Sequence, residues 1–332
     1  MKRRRFLSAG LMSGVALMTE RSGISAAQKT VWLPGAEPLL RCGSPGAFDE
    51  TAVKDPSLVF FENCWHVFYT ARGNGEYTTG YVAAEKLTEL PHQTRYELKK
   101  IRGRHSRYAC APQVFFFEPQ RLWYLLFQTQ DSNYQPAFST TKTISDLDSW
   151  SDPVFLLPKN TKAKWIDFWI ICDDRRAYLF YTQDHKDVVV RTTGLSDYPH
   201  GWGDGRKVLS GMHEAVHVYR VKGRQKRYHM IYELNTAGER SFGLARSKDL
   251  IGPWEKVTDH YATGSQLSWR EQQQTRWTEM ASHGELVRTG YNEQLEYDAQ
   301  HTELFIQGVR KEDYREPYTE IPWVLGLVKQ ER

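Results

Sequence analysis

Residues 55–70 read DPSLVFFENCWHVFYT: a short apolar strand, a polar Glu-Asn turn and a second strand rich in aromatic residues. This order predicts a β-hairpin. Four further stretches share it, namely APQVFFFEPQRLWYLLFQT (111–129), DFWIICDDRRAYLFYT (167–182), EAVHVYRVKGRQKRYHMIYE (214–233) and GELVRTGYNEQLEYDAQHTELFIQ (284–307). The chain therefore repeats one strand–turn–strand unit five times.

The spacing of the five units predicts how they assemble. The first four begin 56, 56 and 47 residues apart, and the fifth begins 70 residues later. Self-similarity at a period of about 50 residues is typical of β-propellers, in which each repeat builds one antiparallel sheet. We therefore expect an all-β protein, a five-bladed β-propeller that forms a single domain over residues 28–332.

The first 27 residues have the composition of an export signal. Residues 2–5 are basic, residues 6–18 are mostly apolar or small, and SAA at 25–27 resembles a cleavage site. RRRFL at 3–7 also fits the twin-arginine pattern, with an ordinary Sec signal as the alternative. The sequence thus predicts an exported protein, periplasmic or extracellular, with no membrane segment after leader removal.

Charge and cysteine content exclude two classes of function. The formal net charge is +4, but residues 1–27 hold five of the 44 basic and one of the 40 acidic residues. The remainder carries 39 of each, so no electrostatic footprint for nucleic acid is expected. The four cysteines show no C-x-x-C spacing, which argues against a structural zinc site, and their disulfide pairing stays open.

Aligning the five units by their first strands places acids at one repeat position. That position holds Asp55, Ala111, Asp167, Glu214 and either His283 or Gly284. Because the innermost strands of a propeller surround its axis, equivalent positions form a ring, and we expect the three carboxylates to meet in one pocket.

Three converging carboxylates repel one another, so they need a use or a structural partner. Glycoside hydrolysis is such a use: one carboxyl group protonates the leaving oxygen, a second activates water, and a third tunes the other two. The structural alternative is that these acids cap turns by bonding to backbone amides.

The motifs around these acids resemble glycoside hydrolase family 62, the α-L-arabinofuranosidases. They are KDPS (54–57), APQVF (111–115), WIDFWIICD (165–173), EA (214–215), SHGEL (282–286) and PW (322–323). The resemblance implies a five-bladed propeller and an inverting, exo-acting enzyme. Such an enzyme would remove arabinofuranosyl side groups from arabinoxylan or a related plant polysaccharide, without a cofactor for the chemistry.

The resemblance also assigns roles to the three acids. Asp55 would be the general base, Glu214 the general acid, and Asp167 the residue that orients the acid and modulates its pKa. We expect Asp167 to raise the pKa of Glu214 by like-charge repulsion, so that the acid stays protonated near neutral pH.

Further site residues follow from the same resemblance. Lys54, Trp123 and Tyr318 would contact substrate, although Trp123 could instead be a blade-core residue. His283 would lie beside a structural ion, which in the family is calcium. Thr319 departs from the family asparagine that contacts the polysaccharide backbone, so the backbone groove is less well matched than the arabinosyl pocket. We expect a monomer.

Three rival interpretations remain. HEAVH at 213–217 matches the H-E-x-x-H zinc protease motif, but it lies in an alternating strand pattern, where residues four apart are roughly 13 Å apart. A non-catalytic sugar-binding propeller would keep the aromatic residues without needing all three acids. A related propeller glycosidase would act on arabinan or xylosides.

Overall fold

A computed structural model describes residues 30–102, 108–130, 133–270 and 276–331. The predicted leader over residues 1–27 lies outside this part of the chain. In chain order the strands are β1 (Val31–Pro34), β2 (Ala52–Phe61), β3 (Cys64–Gly73), β4 (Glu76–Ala84), β5 (Tyr96–Glu97), β6 (Ala109–Phe117), β7 (Leu122–Thr129), β8 (Gln135–Thr141), β9 (Val154–Phe155), β10 (Trp165–Cys172), β11 (Arg176–Gln183), β12 (Asp187–Gly194), β13 (Arg206–Ser210), β14 (Glu214–Val221), β15 (Tyr228–Thr236), β16 (Glu239–Ser247), β17 (Glu255–Ala262), β18 (Ser282–Leu286), β19 (Glu296–Tyr297), β20 (Glu303–Gly308) and β21 (Val324–Glu331).

These strands form five sheets, one for each predicted hairpin. Their orders are β2-β3-β4-β5, β6-β7-β8-β9, β10-β11-β12-β13, β19-β14-β15-β16-β17 and β18-β20-β21-β1. The inner strands contact one another around a ring, β2 with β6, β6 with β10, β10 with β14, β14 with β18, and β18 with β2. The predicted all-β, five-bladed propeller is therefore confirmed.

Short 3-10 helices connect the strands in the described residues. They are Leu87–His92, Lys99–Arg102, Glu118–Gln120, Gly264–Gln266, Lys311–Asp313 and Tyr318–Glu320. No helix in this part of the chain is long and apolar enough to span a membrane. All four cysteines are described, and all carry free thiols.

The apolar core lies between the blades rather than within a single layer. Strand β2 is buried at eight consecutive positions, because both faces of a blade pack against neighbouring blades. The largest buried cluster includes Phe115, Trp169 and Ile170, and it joins the second, third, fourth and fifth blades. Consequently the polar residues at the ends of the inner strands are held by a rigid frame.

The fifth blade combines both ends of the described chain. Its outermost strand is β1, which pairs antiparallel with β21 from Val31 opposite Glu331 to Pro34 opposite Val328. The strand that is first in the sequence thus completes the blade built by the last ones, and the ring is closed by backbone hydrogen bonds.

Candidate active site

Each of the first four inner strands contains a bulge at the same point. Pairing with the second strand skips two residues in each case, after Lys54, Cys110, Ile166 and Glu214. The first skipped residue has a positive φ: Asp55 (44°), Ala111 (49°), Asp167 (56°) and Ala215 (51°). Residues other than glycine rarely adopt this conformation, and where they do the site is often functional.

The bulges correct the alignment drawn from the sequence. Asp55 and Asp167 are equivalent, as predicted, but the residue equivalent to them in the fourth blade is Ala215 rather than Glu214. Glu214 stands one position earlier, where the first blade has Lys54. It therefore enters the site from a different position on its blade than the two aspartates do.

The bulge amides are bonded to the second strand of the preceding blade. The pairs are Ala111 N–H to Thr70 Oγ1 (2.8 Å), Asp167 N–H to Gln128 Oε1 (3.1 Å), His283 N–H to Glu233 Oε2 (3.1 Å) and Asp55 N–H to Gln307 Oε1 (3.1 Å). The fourth blade differs, since Ala215 N–H donates to Asp167 Oδ2 at 2.9 Å. The Asp167 carboxylate is thus oriented by the backbone of the next blade.

All three predicted acids line one open pocket of about 630 Å³. Lys54, His283, Tyr318 and Thr319 line the same pocket. The convergence of the acids was the main expectation from the sequence, and the structure brings them together even though Glu214 is displaced by one position in the repeat.

His283 lies between the two aspartates. Its Nδ1 is 3.4 Å from Asp55 Oδ1 and 3.7 Å from Asp167 Oδ2, and all three side chains are at most 10 % exposed. Burial lowers the pKa of His283, but the carboxylates of Asp55 and Asp167 raise it more, so the net shift is upward. A protonated His283 balances part of the negative charge of the cluster.

Asp167 carries a carboxyl group whose pKa is strongly raised. Burial raises its pKa most, and the carboxylates of Glu214 and Asp55 raise it further, while His283 and the Ala215 amide oppose the shift. The result is a pKa of about 7. Asp167 is therefore partly protonated at neutral pH.

The pKa of Glu214 is shifted in the opposite direction, downward. Burial raises its pKa, but nearby His185 and the guanidinium of Arg240 lower it more, so the pKa lies below its usual range. Arg240 Nη1 is 2.7 Å from Glu214 Oε1 and 2.7 Å from Glu233 Oε1. The expectation that Asp167 would keep Glu214 protonated is wrong for this structure, because the positive charge of Arg240 lies beside Glu214 and lowers its pKa, while the pKa of Asp167 is the one that is raised.

Tyr318 and Lys54 form one wall of the pocket. Lys54 Nζ lies 4.6 Å from the centre of the Tyr318 ring, and Arg240 packs on the same ring at 5.5 Å. Burial lowers the pKa of Lys54, but the neighbouring Asp55 and Tyr318 raise it well above its ordinary value, so the amine is charged. Lys54 can therefore donate hydrogen bonds to a sugar hydroxyl group.

Trp123 does not reach the pocket, and its predicted substrate contact is wrong. It is 1 % exposed on β7, with its ring 5.0 to 5.7 Å from those of Phe61, Phe116 and Tyr291. The alternative, a blade-core residue, is what the structure shows. The aromatic residues that line the pocket besides Tyr318 are Tyr77, Tyr108, Tyr134 and Tyr314.

The H-E-x-x-H motif is not a zinc protease site. His213 and Glu214 face the pocket, whereas His217 is buried with its ring stacked 4.0 Å from that of Trp169. His217 Nδ1 is also 2.9 Å from the carbonyl oxygen of Gly284. The two histidines therefore diverge, as expected on a strand.

The calcium ion predicted beside His283 stays a prediction. Calcium takes six to eight oxygen ligands. The carboxylates beside His283 are those of Asp55 and Asp167, 3.4 and 3.7 Å from its Nδ1, and they can supply two such oxygens. Within the described residues, the one group with metal-ligand spacing is a different set, His185, His213 and Glu214.

A family model agrees with this geometry. The model described as glycosyl hydrolase family 62 matches residues 46–329. "Alpha-L-arabinofuranosidase C" of Cellvibrio japonicus is 29% identical over 309 residues, which are 88% of this chain and 46% of that protein. The chain thus spans about half the length of this curated relative.

Solved structures show the same fold. The catalytic domain of the family 62 α-L-arabinofuranosidase of Coprinopsis cinerea superposes with a TM-score of 0.83 at 28% identity, covering 91% of this chain and 97% of that one. A family 62 hydrolase solved in complex with xylotriose gives 0.81 at 27% identity, with the same coverage of both chains. A thermostable family 43 glycoside hydrolase shares the fold alone, at 15% identity, a TM-score of 0.58 and coverage of 88% and 92%.

Proposed function

The chain belongs to glycosyl hydrolase family 62, and we propose that it is an exo-acting α-L-arabinofuranosidase that inverts anomeric configuration. The observation that carries the proposal is the meeting of Asp55, Asp167 and Glu214 in one pocket beside the buried Lys54. The proposed substrate is an arabinofuranosyl side group of arabinoxylan or a related plant polysaccharide. The complex of a family 62 relative with xylotriose supports a xylan backbone.

In the proposed reaction Asp55 is the general base. Its carboxylate is held at a strained backbone position, with the amide fixed by Gln307 and the side chain beside His283. It removes a proton from water, which attacks the anomeric carbon of the arabinosyl group. Lys54, next to Asp55 and charged, binds the hydroxyl groups of the same sugar.

Glu214 is the proposed general acid, and Asp167 holds the proton that the acid needs. In this structure the raised pKa of Asp167, about 7, and the lowered pKa of Glu214 favour the proton on Asp167. A bound sugar excludes water from the pocket, and loss of water raises the pKa of a carboxyl group. The Glu214 side chain is more exposed than that of Asp167, 12 % against 6 %, so it loses more water and its pKa rises more. Substrate binding would thus shift the proton toward Glu214, which passes it to the leaving oxygen.

The protonation states also favour one alternative, in which Asp167 itself protonates the leaving group. Substrates that differ in leaving group separate the two. Replacing the true acid by its amide should cost orders of magnitude on arabinoxylan and far less on an aryl arabinofuranoside, whose leaving group needs little protonation. We expect the larger difference between the two substrates for Glu214→Gln; a larger difference for Asp167→Asn would make Asp167 the acid.

The activity itself is tested by measuring arabinose release from arabinoxylan, arabinan and an aryl arabinofuranoside side by side. Asp55→Asn is the matched inactive control, because asparagine tolerates the positive φ at this position. Proton NMR of the arabinose first formed checks inversion. Release from arabinan alone would favour the related propeller glycosidases, and binding without release would favour a sugar-binding protein.

Export over residues 1–27 and the monomeric state remain proposals. Replacing Arg3 and Arg4 by lysine should retain the protein in the cytoplasm if the twin-arginine route is used. Unchanged export would instead indicate the Sec route.

A further inference from the structure

We propose that His185, His213 and Glu214 form a binding site for a borderline divalent cation such as Zn²⁺, and that the bound ion inhibits the enzyme. The ligand atoms of these three residues all lie within 4.8 Å of one another. The cation site stands on this geometry alone, whereas the inhibition rests on the proposed function.

The distances suit a tetrahedral ion. Glu214 Oε2 is 3.4 Å from His185 Nδ1 and 3.6 Å from His213 Nε2. A zinc ion with bonds of 2.0–2.2 Å to nitrogen and oxygen places its ligand atoms about 3.3–3.5 Å apart. Two of the three separations therefore suit one ion already. The third, between the two histidine nitrogens, is at most 4.8 Å, and the stacked rings, whose planes are 16° apart, must rotate until both nitrogens point at the ion.

The ligand atoms are also available. Arg240 occupies Oε1 of Glu214, which leaves Oε2 facing the two imidazole rings. His185 Nδ1 is buried and faces Glu214 Oε2. The charge of Arg240 is shared with Glu233 at the same distance of 2.7 Å, so it does not act on Glu214 alone.

The backbone places both rings in advance. His185 lies in the turn between β11 and β12, at a φ of 50°, and the His213 amide donates to the carbonyl oxygen of Glu233 at 2.8 Å. The two rings stack with their centres 4.6 Å apart and their planes 16° apart. They come from different blades, so the frame of the propeller fixes their separation.

The donor types decide which ion fits. Two imidazole nitrogens and one carboxylate oxygen suit zinc, copper or nickel, whereas calcium and magnesium prefer oxygen ligands. His185 and His213 are about one quarter exposed toward the pocket, so water can take a fourth position. An ion bound here would hold Oε2 of Glu214 and prevent it from carrying a proton to the leaving group.

Calorimetry with ZnCl₂ on the untagged protein tests the site directly. We expect one ion per chain in the wild type and at least a tenfold weaker affinity in His185→Asn and in His213→Gln. Asparagine suits the positive φ of His185. His301→Ala is the control, since His301 is 83 % exposed and contacts Asp298 at a distance from the pocket residues; it should bind zinc like the wild type.

The outcomes separate the two parts of the proposal. Wild-type affinity in both His185→Asn and His213→Gln, with folding verified by thermal unfolding, would overturn the site, as would the absence of binding at millimolar zinc. Inhibition of arabinose release at the zinc concentration that saturates calorimetric binding supports the second part. Binding without inhibition would overturn that part, and a protein without arabinofuranosidase activity would overturn the proposed function while calorimetry still decided the site.

Discussion

Replacing Arg240 by methionine should destabilise the protein strongly. The Arg240 side chain is 7 % exposed and lies 2.7 Å from both Glu214, 12 % exposed, and Glu233, 0 % exposed. Removing one partner of a buried ion pair costs about 3–5 kcal/mol, because the remaining charge is left without compensation. Here two carboxylates lose their partner, although Ser282 and the His283 amide still bind Glu233. We therefore expect Arg240→Met to lower the free energy of unfolding by about 3–5 kcal/mol.

Equilibrium unfolding in urea measures this loss. The control is Arg246→Met on the same strand, β16, where Arg246 and its partner Glu255 are 57 % and 68 % exposed and water replaces the lost contact. We expect no measurable change of the urea midpoint for the control. Equal midpoints for Arg240→Met and Arg246→Met would refute the conclusion that the Glu214–Arg240–Glu233 group stabilises the site.

The same comparison should depend on pH. Glu214 has a pKa below its ordinary value of 4.5 in the folded protein. Its contribution to stability is therefore complete above about pH 4.5 and is lost as the pH falls toward the lowered pKa. The difference in unfolding free energy between wild type and Arg240→Met should be largest at neutral pH and should shrink below pH 4.5. A difference that stayed constant down to pH 3 would contradict the assignment of the charge to Glu214.

Two further predictions concern Asp167 and Trp123. Because the pKa of Asp167 is raised from 3.8 to about 7, its ionisation destabilises the folded protein progressively between these values. Asp167→Asn should therefore unfold at a higher urea concentration than wild type at pH 8 but not at pH 4. It should also shift the basic limb of the pH profile of kcat/KM, which we expect near pH 7 in the wild type. Trp123→Ala should lower the free energy of unfolding by about 3–5 kcal/mol, because it leaves a cavity in the core. The KM of the folded fraction should be unchanged, and a raised KM would instead indicate that Trp123 contacts substrate.

The sequence predicts the architecture well because the same strand–turn–strand pattern recurs once for each blade. Five hairpins with polar turns can be recognised in the sequence, and each belongs to one of the five sheets. The acids Asp55 and Asp167 could be aligned for the same reason. Glu214 was placed one position off because nothing in the sequence indicates that Ala215 adopts a positive φ.

The electrostatics could not be predicted in the same way. Arg240 is the second residue of β16, where no repeat motif marks it, and His185 lies in a turn. These residues decide that Glu214 loses its proton before Asp167 does. The order of the two pKa values depends on contacts between blades, which a linear repeat does not encode.

The pairing of β1 with β21 also has a consequence for synthesis of the protein. A ribosome releases Val31 300 residues before its partner Glu331, whereas β2–β5, β6–β9, β10–β13 and β14–β17 each follow one another closely. During translation the growing chain can fold these blades, but it keeps an unpaired edge at the first strand. A product that stops before Val324 leaves that edge open to aggregation and proteolysis, so only a chain translated through β21 can complete this blade.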